Sequence, residues 1–349
     1  MAISRLFLVL ALTVAAWEVQ SGTEPLVIAS WNVENLFDYE DDPDNPGDDG
    51  YTPRGWMRWS ERRYRTKLDH LAGVIREMKP QVLCLAEVEN RRVLEDLTQV
   101  LKEKYDYPMT AIIHREGTDL RGIDVAMLSV RKPEKTEWKT PVSGQRDVLA
   151  ASFDFDGRKI TVLANHWKSQ LGNKQESGEL RRKCAQAARG LVDKALKADP
   201  SAAVVVTGDF NDVPESEVLT GTAGFVLDEQ LFMTNSTGRL LFNLSATVPE
   251  SERLTYYYAS GDKWSTLDMF HISRGMWNGD APWKVKRGSM RVFKTPRQCN
   301  RKGEPLPFKR QRNKTVGDVY LTGYSDHFPI LMELEPGAKP KRADKDAGL

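Results

Sequence analysis

"VVVTGDFNDVP", residues Val204 to Pro214, changes character halfway along. Val204 to Thr207 is a β-branched, largely apolar run of the kind that forms a buried strand. Asp209, Asn211 and Asp212 follow at once, and carboxylates and amides are costly to bury without partners. Either a turn ends the strand, or the strand carries Asp209 and Asn211 to a place where they are used. On an extended chain residues two apart share a face, so both would enter one cleft while Phe210 faces packing. Gly208 would let the strand end approach a substrate closely.

The same event recurs elsewhere. "LVIASWNVEN" runs into Asn32, "VLCLAEVEN" into Glu87, and "KITVLANHWKSQ" into Asn165 and His166. "STLDMF" places Asp268 inside an apolar run, and "YSDHFPILMEL" sets Asp326 and His327 just before one. One such ending is a turn. Six are hard to assign to turns alone, because buried carboxylates need a partner or a metal. If these ends converge, they line a cleft with hard oxygen donors and imidazoles, which suits Mg2+, Mn2+ or Ca2+ better than structural zinc.

The remaining elements indicate a mixed α/β chain. Strand-like runs lie at 26–31, 81–88, 123–130, 148–155, 159–166, 203–208, 266–272 and 328–333. Asp156-Gly157 between two of them is a hairpin-turn signal. In "SERRYRTKLDHLAGVIREM" the apolar residues follow the helical period, with Ser60 as N-cap and Pro80 as stop. "ELRRKCAQAARGLVDKALKADP" does the same. Alternating helices and hairpins point to two mixed sheets covered by helices rather than one parallel sheet.

Residues 1–22 differ from the rest. Arg5 precedes an apolar stretch from Leu6 to Ala16, too short to cross a bilayer but suited to a signal peptide. The expected organisation is therefore a signal peptide at 1–22, one domain at 23–336 and a polar tail at 337–349. An irregular excursion at about 276–318 is expected within the domain, and a secreted or periplasmic monomer follows. No stable membrane anchor is evident, although Trp277 and Trp283 in "GMWNGDAPW" offer aromatic groups for docking on a membrane.

Charge is balanced overall at +1 but uneven along the chain. "DYEDDPDNPGDDG" from Asp38 to Gly50 has seven acids and no base. Pro46 takes a ligand position of the EF-hand pattern and Pro53 stands where its bidentate Glu belongs, so the tract reads as a solvated acidic loop. From Lys284 to Lys314 there are twelve Lys or Arg residues against one acid, Glu304. Such a tract suits a polyanion or is simply a solvated basic loop. Cys184 and Cys299 could pair in an oxidising compartment; Cys84 reads as a buried thiol.

Seven pieces, "SWNVENLF", "VLCLAEVEN", "GIDVAMLS", "ANHWKS", "VVVTGDFNDVP", "STLDMF" and "YSDHFPI", occur in an order that resembles the endonuclease/exonuclease/phosphatase superfamily. That superfamily includes pancreatic deoxyribonucleases, sphingomyelinases and inositol-polyphosphate phosphatases. The resemblance implies a four-layer α/β/β/α sandwich of two mixed sheets, and divalent-metal-dependent hydrolysis of a phosphate ester. It implies Glu87 as the main metal carboxylate, assisted by Asn32 and Asp326. It further implies Asp209 as the acid acting on the attacking water and Asn211 as an amide on a non-bridging oxygen. His327 would sit at the phosphate with Asp268 fixing its tautomer. His166 would be the second phosphate-contacting imidazole, with Asp124 in "GIDVAMLS" standing where the deoxyribonuclease branch orients that imidazole with Glu. The resemblance leaves the substrate open; His166 and the basic Lys284–Lys314 tract point to nucleic acid, DNA or RNA, cut with little sequence preference, with a phosphorylated small molecule or phospholipid as the alternative. A non-catalytic binding protein would be expected to lose members of this set, and all are present.

Overall fold

The computed structural model describes residues 25–308, 311–312, 319–320 and 323–338. The expected signal peptide and nearly all of the expected tail lie outside these residues, as do Arg310 and Lys314.

The first of two seven-stranded sheets contains β1 (Leu26–Leu36), β2 (Val82–Val88), β3 (Ala111–Ile113) and β4 (Asp124–Ser129). β14 (Trp283–Val285), β15 (Arg291–Val292) and β18 (Ile330–Pro336) complete it, in the order β14-β18-β1-β2-β4-β3 with β15 also on β18. The second sheet runs β5 (Lys135–Lys139), β6 (Val148–Phe155), β7 (Arg158–His166), β8 (Val204–Asp209), β13 (Asp268–Ile272), β10 (Leu241–Asn243), β9 (Phe225–Val226). Two small hairpins lie apart: β11 (Tyr256–Tyr258) with β12 (Lys263–Ser265), and β16 (Gln311–Arg312) with β17 (Val319–Tyr320). Both large sheets mix parallel and antiparallel pairs, as β1 with β2 and β18, and β8 with β7 and β13, illustrate.

Side-chain alternation builds the layers. Leu26 and Ile28 of β1, Val82 and Cys84 of β2, Val162 and Ala164 of β7, Val205 of β8 and Phe270 and Ile272 of β13 share one core between the sheets. The intervening residues face outward. Ala29, Trp31, Leu83 and Leu85 pack against α1 (Glu61–Met78) and α2 (Arg91–Tyr105). Val204, Val206 and Leu163 pack against α3 (Lys174–Ala198). The expected α/β/β/α sandwich is the observed one.

Local signals mostly act as expected. Ser60 accepts from the Arg63 amide to cap α1, and Lys79 takes a left-handed conformation just before Pro80. Asp156 and Gly157 turn the β6–β7 hairpin with φ of 58° and 77°. The expected elements do not include α2, which Asn90 caps by accepting from the Val93 amide. The tract expected to be an excursion is in part structural, because β14 and β15 pair with β18. Trp277 and Trp283 are buried there, which removes the suggested membrane-docking role. All three cysteines are free, so Cys184 and Cys299 do not pair.

One buried group makes stability depend on pH. His271 of β13 faces α3, stacks on Phe225 with ring centroids 4.1 Å apart, and is fully buried. Neither ring nitrogen makes a hydrogen bond of good geometry among the described residues, and the Val206 backbone beside it favours the charged ring less than burial opposes it. Burial pushes its pKa down to about 3. The folded chain then resists a proton that the unfolded chain accepts near its ordinary 6.5. Stability is thus lost as pH falls below that value, by about 1.4 kcal/mol per unit at most. His271→Phe, which keeps the stacked ring, is expected to lose less stability between pH 7 and pH 4 in urea titrations.

Candidate active site

The inward-facing set of each strand is largely apolar, with Ser30 and Thr207 as small polar exceptions, until the last position at one end of the sandwich. Continuing the even-numbered series of β1 past Ile28 and Ser30 gives Asn32; that of β7 gives His166. The odd-numbered series of β8 gives Asp209, and the inward series of β13 begins at Asp268. Parallel pairing sets His166 beside Asp209, and antiparallel pairing sets Asp268 opposite Asp209. The site is the end layer of the core between the sheets, with polar side chains in place of apolar ones.

Glu87 arrives by a different route. It would face outward on a regular β2, but its φ is 65° and the register with β1 and β4 slips there. That irregularity turns the carboxylate toward the other groups. Its Oε2 accepts from the Asn35 amide at 2.9 Å, and its Oε1 lies 3.4 Å from Asn32 Nδ2. Asn32 Nδ2 also donates to Asp209 Oδ2 at 3.0 Å. Two carboxylates thus converge on one neutral amide, an arrangement that a hard divalent cation would compensate better. The donor set fits Mg2+, Mn2+ or Ca2+. Asn32 Oδ1 accepts from the Glu34 amide at 3.0 Å, so offering an oxygen to a cation there requires the side-chain amide to turn over.

Asp209 is buried and stands between two imidazoles. Its Oδ2 lies 3.7 Å from His166 Nε2 and 3.8 Å from His327 Nε2. Burial raises its pKa, against the charge of His327 and the bonds from Asn32 and Asn211. His327 Nδ1 donates to Asp268 Oδ2 at 2.8 Å. Burial alone would lower the His327 pKa, but the charges of Asp268 and Asp209 hold it well above its ordinary value. His166 behaves oppositely: burial, then the charges of Arg146, Arg121 and His327, hold it well below. The two imidazoles therefore differ in protonation, one neutral and one cationic. Asp326, half-exposed beside His327, adds negative charge felt by His327, Tyr256 and Lys67.

Three expectations need correction. Asp124 does not orient His166; its Oδ2 lies 3.2 Å from His114 Nε2 and accepts from the Gly117 amide. His166 Nδ1 has no partner among the described residues, so no carboxylate stands behind it. The chain also does not stay extended after Asp209. Asn211 has φ of 50°, and its amide N–H donates to Asp209 Oδ1 at 2.8 Å, so the segment is a turn and part of the site at once. Both protons of the Asn211 side-chain amide are engaged, by Trp167 O and Asp209 Oδ2, so a direct phosphate contact requires one of those bonds to break. Gly208 is demanded by the neighbouring strand instead of a substrate, since a Cβ there would sit 1.9 Å from the Asn165 carbonyl oxygen.

Several supporting residues gave no sequence signal. Lys67 of α1 is fully buried and donates to the carbonyls of Glu34 and Asn35, both of which have positive φ. Arg146 donates to the carbonyls of His166 and Trp167 and pairs with Asp119 at 2.7 Å. Arg121, half-exposed at the rim, donates to Asn35 Oδ1 and lies 3.7 Å from Glu87 Oε2. Tyr256 of β11 places its ring 4.7 Å from that of His327. Only their partners, distant in sequence, give these residues meaning.

A two-sheet sandwich flanked by helices, with carboxylates and imidazoles at one end of its middle layer, is the architecture of deoxyribonuclease-like phosphoesterases. Residues 27–336 match the sequence model of the Endonuclease/Exonuclease/phosphatase family, and the chain belongs to that family. Members of this superfamily are metal-dependent phosphoesterases. No curated protein matches the chain in sequence. Among solved structures it is similar to TDP2 from C. elegans, with a TM-score of 0.53 and 15% identity over 89% of this chain and 75% of that one. D. rerio TDP2, complexed with single strand DNA product, gives 0.53 and 17% over 89% and 99%. An endonuclease/exonuclease/phosphatase from Bacteroides vulgatus gives 0.51 and 14% over the same shares.

Proposed function

We propose that this protein is an exported, divalent-metal-dependent phosphodiesterase that cleaves nucleic acid with little sequence preference. The observation that carries the reaction is Asp209, a buried carboxylate within 4 Å of two imidazoles, with Glu87 alongside. Asp209 would orient the attacking water and take its proton, a contribution of about 10²–10⁴-fold. His327, held cationic by Asp268, would offer Nε2–H to the phosphate where negative charge accumulates. His166, neutral at pH 7, would hold a second oxygen by its Nε2–H. Asn211 would act as a positioning residue, fixing the Asp209 carboxylate through its main-chain and side-chain amides. Glu87, Asn32 and Asp326 would hold the cation, which supplies Lewis-acid stabilisation of the phosphoryl oxygens.

Nucleic acid is favoured by the surface around His327. The β11–β12 hairpin sets the Tyr256 ring on His327 and, on its other face, pairs Tyr257 with Trp264, over whose ring Lys294 lies at 5.8 Å. Aromatic faces beside a cation suit stacked bases on a phosphate chain. D. rerio TDP2, of the same fold, carries a single strand DNA product. The basic tract supports this less than its composition suggests. Lys284, Lys286, Arg287, Arg291 and Arg297 are each paired with a glutamate.

Any electrostatic platform in that tract therefore rests on Lys294, Arg301, Lys302 and the bases that follow them. Neutralising Arg310, Arg312 and Lys314 together is expected to weaken nucleic-acid binding and flatten its salt dependence by up to three charges' worth. An unchanged salt slope would remove the tract from the binding surface. The reading as a whole is tested by a panel of plasmid DNA, RNA, sphingomyelin and inositol polyphosphates, with Mg2+ and with EDTA. Turnover confined to lipid or inositol phosphate would overturn the nucleic-acid assignment while leaving the reaction class intact.

A further inference from the structure

The acidic loop after β1 is only partly the solvated segment its composition suggests. Asp41 and Asp49 are exposed, but Asp48 is 1% exposed, and one carboxylate oxygen from each of the three lies within 4.8 Å of the others. Asp48 Oδ2 accepts from the Asp42 amide at 2.8 Å. Its Oδ1 is buried and has no hydrogen-bond partner among the described residues. Arg92 pairs with Glu40 and approaches Asp38, and no ion pair among the described residues involves Asp41, Asp42, Asp48 or Asp49. Burial, followed by the charges of Asp41, Asp42 and Asp49, pushes the Asp48 carboxyl up. A buried carboxylate with one oxygen lacking a donor, grouped with two more carboxylates, is unfavourable as it stands.

We propose that Asp41, Asp48 and Asp49 form a second, structural site for a hard divalent cation of the Ca2+ class. Three carboxylates from one irregular loop suit Ca2+, which accepts six to eight oxygens in flexible geometry, better than Mg2+, which keeps most of its waters. The loop bears on the active site. A Cβ on Gly47 would strike the Arg121 carbonyl, and one on Gly122 would strike the Asn45 side chain, so the loop lies directly on the turn that carries Arg121. Arg121 in turn touches Asn35 and faces Glu87. A cation in the loop would fix that rim from behind.

The test uses the full chain carrying Glu87→Gln, so that binding at the candidate catalytic site is weakened. Trp56 packs its indole on Gly50, next to Asp49, and can sensitise bound Tb3+. Millimolar Ca2+ is expected to raise Tm by about 2 °C or more. Excitation of tryptophan is expected to give Tb3+ emission that Ca2+ displaces. Adding Asp41→Asn and Asp49→Asn, both at exposed positions, should abolish both responses while circular dichroism stays unchanged. Adding Asp48→Asn instead should also abolish the Tb3+ signal. Equal responses with and without these substitutions, or no Ca2+ response in the Glu87→Gln chain, would overturn the site without touching the assignment of the catalytic groups.

Discussion

Replacing His327 with alanine is expected to lower phosphodiester hydrolysis by about 10³-fold. The magnitude follows from where the imidazole stands. Its Nδ1 is tied to Asp268 at 2.8 Å, and its Nε2 points toward the space beside Asp209. A fixed, buried cation needs no rearrangement as charge grows on the phosphoryl group, so its loss falls mainly on kcat. Truncation also leaves Asp268 without its partner inside the core, and Asp268 Oδ1 already lacks one. His327→Ala alone therefore confounds catalysis with stability. His327→Asn separates them, because its amide nitrogen, bonded to Cγ as Nδ1 is, can still donate to Asp268 but carries no charge. Hydrolysis by His327→Asn should remain within about tenfold of His327→Ala, while its melting temperature returns close to that of the native chain. Single-turnover rates on a defined oligonucleotide, alongside thermal melts, check both halves. Native activity in His327→Asn would remove the cationic imidazole from the mechanism.

Glu87→Gln is expected to weaken metal dependence by on the order of 100-fold in the Mg2+ concentration needed for half activity. The substitution is nearly isosteric, and its carbonyl can still accept from the Asn35 amide, so the β2 kink should persist. It removes one of the two negative charges that converge on Asn32. Activity should recover in part at high Mg2+, because Asp209 and Asp326 remain. A Mg2+ titration of hydrolysis compares the two proteins directly. An unchanged midpoint would mean that Glu87 does not hold the cation.

Much of this was legible in the chain before any fold was known, and the reason is periodicity. Apolar alternation in β1, β7, β8 and β13 fixes which side chains face the space between the sheets. The polar residue that ends each series, Asn32, His166, Asp209 or Asp268, then belongs to one layer. What was not legible depends on departures from that regularity or on distant partners. Glu87 enters the site only because its backbone has positive φ, and Asn211 turns the chain for the same reason. Asp124 sits at a strand end like the others, but His114, ten residues earlier, claims it. Lys67 has the sequence context of a solvated helix residue; its burial comes from carbonyls more than thirty residues away. Asp48 likewise is one acid among seven until the loop folds over it.

The account depends most on a cation being held where β1, β2 and β8 end. Crystals soaked in Mn2+ and measured at the manganese absorption edge report that position directly. An anomalous peak bonded to the Glu87 carboxylate, with Asp209 and His327 around the same cleft, is the predicted result. Manganese bound only elsewhere on the molecule, with Glu87 unliganded, would contradict it.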